Sequence, residues 1–306
     1  MIVIRGWSVH VPGIDPAGLG LAADQALPPE RAHELLGRKG LLYKDEATRL
    51  ALCAVHRALG RGQGEPRPAG PVDPATAVVV SSNLGNVAVV RDIAATVRAG
   101  SGRDVSPMLA PGASSNVIAT AIAIWFRFGG PNLMICSGAT GGLDAVGAAM
   151  LLLRARRAER VIVVGVEPAD QVAAELHENR AGRAAGRPLR AAAACVVLDR
   201  LAGAGPESGQ ASGSASGSAS CPVLGAVGAF DPVADPVAGP VIGPAACAGP
   251  GAVVLDHRDR IGDTFGAAGV LGVAVAAALT GERPAWTVTD GDELAGWRRA
   301  RVEVAR

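Results

Sequence analysis

Apolar positions along the chain fall into two kinds of block. Short continuous runs, AVVV at 77–80, NLMIC at 132–136, RVIVVGV at 160–166 and ACVVL at 194–198, alternate with longer stretches of helical periodicity such as YKDEATRLALCAVHRAL at 43–59. Runs that are apolar throughout, rather than at every second position, suit strands covered on both faces. The pattern therefore predicts buried, largely parallel strands flanked by helices, a layered α/β fold.

The pattern stops at Leu201. Residues 202–220, AGAGPESGQASGSASGSAS, can neither bury large side chains nor favour one backbone state, which predicts a flexible linker over 202–221. It divides a half spanning 1–201 from a shorter one spanning 222–306. Beyond it, CPVLGAVGAFDPVADPVAGPVIGP carries prolines at short intervals; these lack ladder donors and argue against a regular central strand there. AVVLDHR then predicts a strand, DTFGAAGVLGVAVAAALTG a buried helix and RARVEVA a terminal strand.

Composition fits an enzyme-like globular chain: 49% of residues are apolar, enough to bury a substantial core. A net charge of +1 and a sequence poor in aromatics give no support for binding to nucleic acid or to a membrane surface. The five cysteines stand far apart with no CxxC pair, so neither a zinc site nor a disulfide framework is expected. No apolar core follows basic residues at the N-terminus and no apolar stretch is long enough to span a bilayer, so a cytoplasmic protein is the expectation.

The candidate chemistry lies in GPNLMICSGATGGLDAVGAAM at 130–150, where an apolar strand ends at a glycine turn that opens a helix. This segment resembles the nucleophile elbow of the β-ketoacyl synthases, which reads roughly GPxxxxxTACASGxxAxG. Gly130, Pro131, Gly142 and Ala145 to Gly147 match, and the family's active cysteine falls on Ala139. A thiol at a helix N-terminus is favoured as thiolate by unpaired amides and the helix dipole; a methyl group has nothing that can attack. Cys136 and Ser137 precede the turn and Thr140 follows it, and a displaced nucleophile at one of these would need a base within hydrogen-bond reach.

A second resemblance explains why no base is apparent. The family carries a lysine followed by GHTxGAAG, whose histidine activates the malonyl substrate; here Arg258 precedes GDTFGAAG, with Asp263 at the histidine position. The other family histidine, from an HGTGT-type loop, has no counterpart, since 222–256 contains none. His10, His33, His56 and His177 suit bland readings, His177 among Glu175, Glu178 and Arg180, and only His257 is near the site by sequence.

The resemblance extends over most of the N-terminal part. MIVIRGWSVHVPG is similar to the opening strand, TAVVVSSNLGN to a strand and glycine turn, and VSPMLAPGASSNVIATAIAIWFRFGGPN to the family's SPFxxPxxxxNxxAGxIAxxxGxxGPN. It implies a thiolase-like layered αβαβα fold with a reduced C-terminal half. Lacking the family's active cysteine and its two histidines at the matching positions, the chain most resembles a chain length factor, the silent partner of a type II polyketide ketosynthase. That implies no enzyme activity of its own, no cofactor, no metal, a heterodimer with an active ketosynthase, and acyl carrier protein met through the complex. It also implies that the strand from Asn132 through Leu133 and Met134 to Ser137 pairs across the dimer axis, and that the loop Ser106 to Pro111 reaches toward the partner. Leu109, with Met108 beside it, stands at an interface position and Leu84 at a pocket-guarding one; ordinary core packing is their alternative.

Two other classes stand beside this one: an acyltransferase using Ser137 or Cys136, and a decayed or regulatory thiolase-fold protein, which a collapsed pocket would favour. SGATGGLDAVG also resembles the glycine turn of a short-chain dehydrogenase, with Glu167 as ribose ligand. Its mid-chain place, Asp144 at the third glycine and the absence of a YxxxK pair count against that. Arg154, Arg156, Arg157 and Arg160 either cap a helix or face an acidic partner, and the cap is preferred.

Overall fold

The computed structural model describes residues 1–21, 23–180, 187–201, 221–281 and 283–304. The expected linker at 202–220 lies outside the described residues.

The first half runs β1 (Ile2–His10), α1 (Ala32–Leu36), α2 (Glu46–Ala58), β2 (Thr76–Ser81), α3 (Val87–Ala99), α4 (Val117–Phe126), β3 (Asn132–Ile135), α5 (Gly141–Arg154), β4 (Arg160–Glu167), α6 (Gln171–Glu178) and β5 (Ala192–Arg200). The second runs β6 (Pro222–Leu224), β7 (Gly228–Ala229), β8 (Val241–Ile242), β9 (Val254–Leu255), α7 (His257–Ile261), α8 (Ala268–Leu279), β10 (Ala285–Asp292) and β11 (Gly296–Val304).

One hydrogen-bonded path joins the strands in the order β3-β2-β4-β5-β1-β6-β11-β10-β8-β9, with β7 on β11. The sheet is mixed, which corrects the largely parallel expectation. β2 pairs in parallel with β3 and β4, but β5 runs antiparallel to both β4 and β1. The apolar runs reflect cover on both faces, and cover does not specify direction.

Two apolar layers flank the first half. On one face α1, α2 and α4 pack through Leu50, Ile118, Ile122 and Trp125. On the other lie α5 and α8, and α8 is buried all round because β10 and β11 cover its far side through Trp286, Val288 and Val302. α5 and α8 touch backbone to backbone: a Cβ on Gly142 would stand 2.7 Å from the amide nitrogen of Gly269, so only glycine fits. Among the described residues, 222–304 carry this inner helix, the short α7 and a limb of the sheet.

β6 also corrects the reading of the proline-rich segment. Although three residues long, it lies centrally between β1 and β11, and Pro222 is tolerated there as the first residue of the strand. β10, whose polar centre hid its pairing with β11, was not expected from the apolar pattern. Among the described residues, no helix is long and apolar enough to cross a membrane.

Candidate functional site

The ends of β2 and β4 and the turn before α8 meet at one carboxylate. β4 ends at Glu167, which is fully buried. Its Oε2 accepts from the Ser82 hydroxyl at 3.0 Å and the Leu84 amide at 3.0 Å; its Oε1 accepts from the Asn83 amide at 2.7 Å and the Gly266 amide at 3.2 Å. Asn83 in turn brackets the turn before α5, accepting from the Gly138 amide at 3.0 Å and donating to the Gly138 carbonyl at 3.0 Å. Gly138 turns the chain at φ +70°, a left-handed conformation that favours glycine. Burial pushes the Glu167 carboxyl up to about 7 against the pull of these donors. It is a structural hub, not an exposed ribose ligand.

The turn so held presents Ala139, 5% exposed, in a small apolar cluster with Leu84, Ala173 and Phe265, rimmed by Val87, Leu189 and Ala295. Leu84 and Ala139 share this cluster.

The displaced-nucleophile candidates are otherwise engaged. Cys136 donates its thiol to the Ser82 carbonyl at 3.1 Å, and burial together with the nearby Glu167 pushes the thiol up, away from thiolate. Ser137 donates to Asp144 at 2.6 Å, so a carboxylate does lie within reach, contrary to the expectation of no base. That oxygen also takes the Thr140 hydroxyl at 2.7 Å, and the other carboxylate oxygen takes Arg298 at 2.9 Å. Asp144 therefore fastens the start of α5 to β11.

Behind Phe265 lies a buried ionic cluster that the sequence did not reveal. His177 of α6, given a bland reading among its charged neighbours, is fully buried and donates from Nε2 to Asp263 at 3.0 Å. Arg180 stands 3.7 Å from Asp263 and 2.6 Å from Asp292, and Arg258 pairs with the buried Asp290. Burial would raise the Asp263 carboxyl, but the bonds from His177 and the Phe265 amide and the charge of Arg258 outweigh it and hold it at about 2. His257 is also buried, and burial with Arg258 beside it takes its imidazole down to about 3, which keeps the ring neutral. No local motif pointed to His177, because its partner is 86 residues away.

The remaining positions lie on another face. Met108 and Leu109 are 58% and 42% exposed, which overturns the core-packing alternative for both. They line a cleft of about 500 Å³ with Leu42, Tyr43, Val89 and Val117. A second cleft, about 480 Å³, begins beside it at Asn116 and runs past Ile124 and Phe128 to Asn132. β3 is an edge strand: it ends at Ile135, short of Ser137, and among the described residues it pairs only with β2. Asn132 is fixed by Asn116 at 2.6 Å, Leu133 points outward, and Met134 packs inward against the α2–α4 layer. Of the four arginines, only Arg154 lies in the last turn of α5; Arg156 and Arg157 lie beyond it, and Arg160 opens β4 on Asp199 at 2.8 and 2.9 Å.

Among the described residues no group of three or more His, Cys, Asp or Glu side chains is placed to hold a metal ion. The family model of the β-ketoacyl synthase N-terminal domain matches residues 36–195. No curated protein sequence matches the chain. Among solved structures it is similar to the ishigamide ketosynthase/chain length factor, with 20% identity, a TM-score of 0.72 and coverage of 100% of this chain and 99% of that one. It is similar also to AntDE:AntF, described as a type II acyl-carrier protein in complex with its ketosynthase bound to the hexaketide (12%, TM-score 0.69, 100% and 99%). The ketosynthase from module 6 of the bacillaene synthase of Bacillus subtilis 168 is a further likeness (12%, TM-score 0.62, 100% and 72%).

Proposed function

Since the chain belongs to the β-ketoacyl synthase family, we propose that it is a non-catalytic, chain-length-factor-like subunit that pairs with an active ketosynthase and walls its acyl tunnel. The observation that carries this reading is the coexistence of an intact elbow with Ala139 at its tip and an open apolar face elsewhere. A subunit that bounds a cavity needs shape and packing but no nucleophile.

The pairing reading draws on the edge of β3 and the exposed side chains near it. An unpaired strand edge is a template for another chain, and Leu133, Ile124, Val72, Leu42, Tyr43, Met108 and Leu109 expose apolar surface around the two neighbouring clefts. Obligate partners commonly bury more than about 2,000 Å² of such surface. On this reading the heterodimer works in the cytoplasm, meets acyl carrier protein as a complex, and uses no cofactor.

An acyltransferase using Cys136 or Ser137 fits less well, because the thiol is pushed away from thiolate and the hydroxyl serves a carboxylate that is itself engaged. The decayed-protein reading draws on one observation, the filled pocket at Ala139. Co-expression with a ketosynthase encoded beside it, followed by size-exclusion chromatography, separates the two. A stable one-to-one complex is expected; a well-behaved lone monomer that ignores the ketosynthase would overturn the proposal.

A further inference from the structure

We infer that Phe265 is a built-in plug: its ring fills the space in front of Ala139, so this subunit's own site is closed to acyl groups by shape as well as by chemistry. This rests on reading Ala139 as the vacated nucleophile position.

The ring is buried and packs directly in the cluster of Leu84, Ala139 and Ala173. Phe265 adopts φ +41°, a left-handed conformation unusual for a bulky residue, which persists only where the surroundings over-determine it. Several contacts impose it. The Phe265 amide donates to Asp263 at 2.8 Å, the ring meets His177 edge-on at 5.7 Å between centroids, and the Arg180 guanidinium lies 4.1 Å over the ring. His177 and Arg180 are in turn anchored on Asp263 and Asp292. On its other side, Gly266 is tied through its amide to Glu167 and through its carbonyl to Ser81 at 2.7 Å.

The buried ionic cluster therefore holds the phenyl ring forward against the elbow. Without the ring, the space would be walled by Leu84, Val87, Ala173 and Leu189, an apolar surface open at Ala139 and suited to a small acyl group. The plug leaves the face bearing Met108 and Leu109 as the surface on which this subunit can meet an acyl chain.

The test is peptide-resolved alkylation by iodoacetamide of the full chain carrying Ala139→Cys and Cys136→Ser, with and without Phe265→Ala. The thiol introduced at 139 is expected to react at least about tenfold faster once the ring is removed, since access then no longer needs local opening. Phe265→Leu should give an intermediate rate, and it is the variant to read if Phe265→Ala does not fold. Equal rates in folded proteins with and without the ring, or rapid alkylation while Phe265 is present, would overturn the plug. No partner enters this assay, so failure of the ketosynthase pairing and failure of the plug are read separately.

Discussion

His177 and Asp263, 86 residues apart in sequence, meet at 3.0 Å with the imidazole wholly buried. The pair ties α6 to the turn before α8 and occupies the place where the resemblance would put a catalytic histidine. A carboxylate held down at about 2 is ionised at neutral pH and accepts hydrogen bonds; it offers no donor to a developing enolate oxygen.

Removing one member of that pair leaves the other buried with a donor missing. His177→Ala is expected to cost about 3 kcal/mol, since breaking a buried pair is far more damaging than its net worth. Urea unfolding checks this, with a lower midpoint at unchanged slope. A variant as stable as the parent would mean that Arg180 alone satisfies Asp263.

Restoring the nucleophile alone should not restore condensation. Ala139→Cys supplies a thiol, but Asp263 and Arg258 stand where the family has histidine and lysine, and catalytic groups that act as a unit are not additive. Intact-protein mass spectrometry and a malonyl condensation assay on the single variant should both read zero turnover. Measurable condensation without a partner would reveal a base elsewhere in the chain.

Acid should draw stability away through two buried imidazoles, a loss opposed by Glu167 and Asp290, whose carboxyls burial raises to about 7 and which therefore take up protons in the folded state over much of the same range. Burial lowers His10 to about 4 and His257 to about 3 from an ordinary value of 6.5. The unfolded chain then takes up protons first as pH falls below 6.5, so the stability these rings contribute is present above 6.5 and lost on the way down through about 4 to 3. Each contributes a slope of about 1.4 kcal/mol per pH unit inside that window. Chemical denaturation from just below pH 6.5 down to about pH 4.5, where both rings lie inside their windows, should show one ring's share as the difference in slope between the parent and His257→Phe. An unchanged slope in that variant would place the titration elsewhere.

Leu109 should set product length in the reconstituted pair. If its exposed side chain closes a shared tunnel, Leu109→Ala opens room for further methylenes, each worth about 0.8 kcal/mol when buried, and products lengthen. Leu109→Trp should shorten them or halt elongation. Unchanged products from both variants, with the complex intact, would move the length-setting wall away from this cleft.

Much of the first half was legible because its signals are local. Continuous apolar runs betray strands covered on both faces, and the glycine turn before α5 needs a left-handed residue. Strand direction was not legible, since β5 is as apolar as the parallel strands yet runs antiparallel to β4.

What tertiary structure decided concerns polar residues whose partners are remote. Nothing local in the sequence marks Glu167, His177 and Asp290 as buried, because a charge belongs in water unless a distant segment brings it donors or an opposite charge. Folding brings Ser82 and Gly266 to Glu167, Asp263 to His177 and Arg258 to Asp290, and so lets all three be buried. The same assembly pushes Phe265 into the vacated site. Sequence determined that an alanine stands at the turn before α5; only the packed structure determined which side chains surround it, because that depends on contacts between segments remote along the chain, which no local pattern encodes.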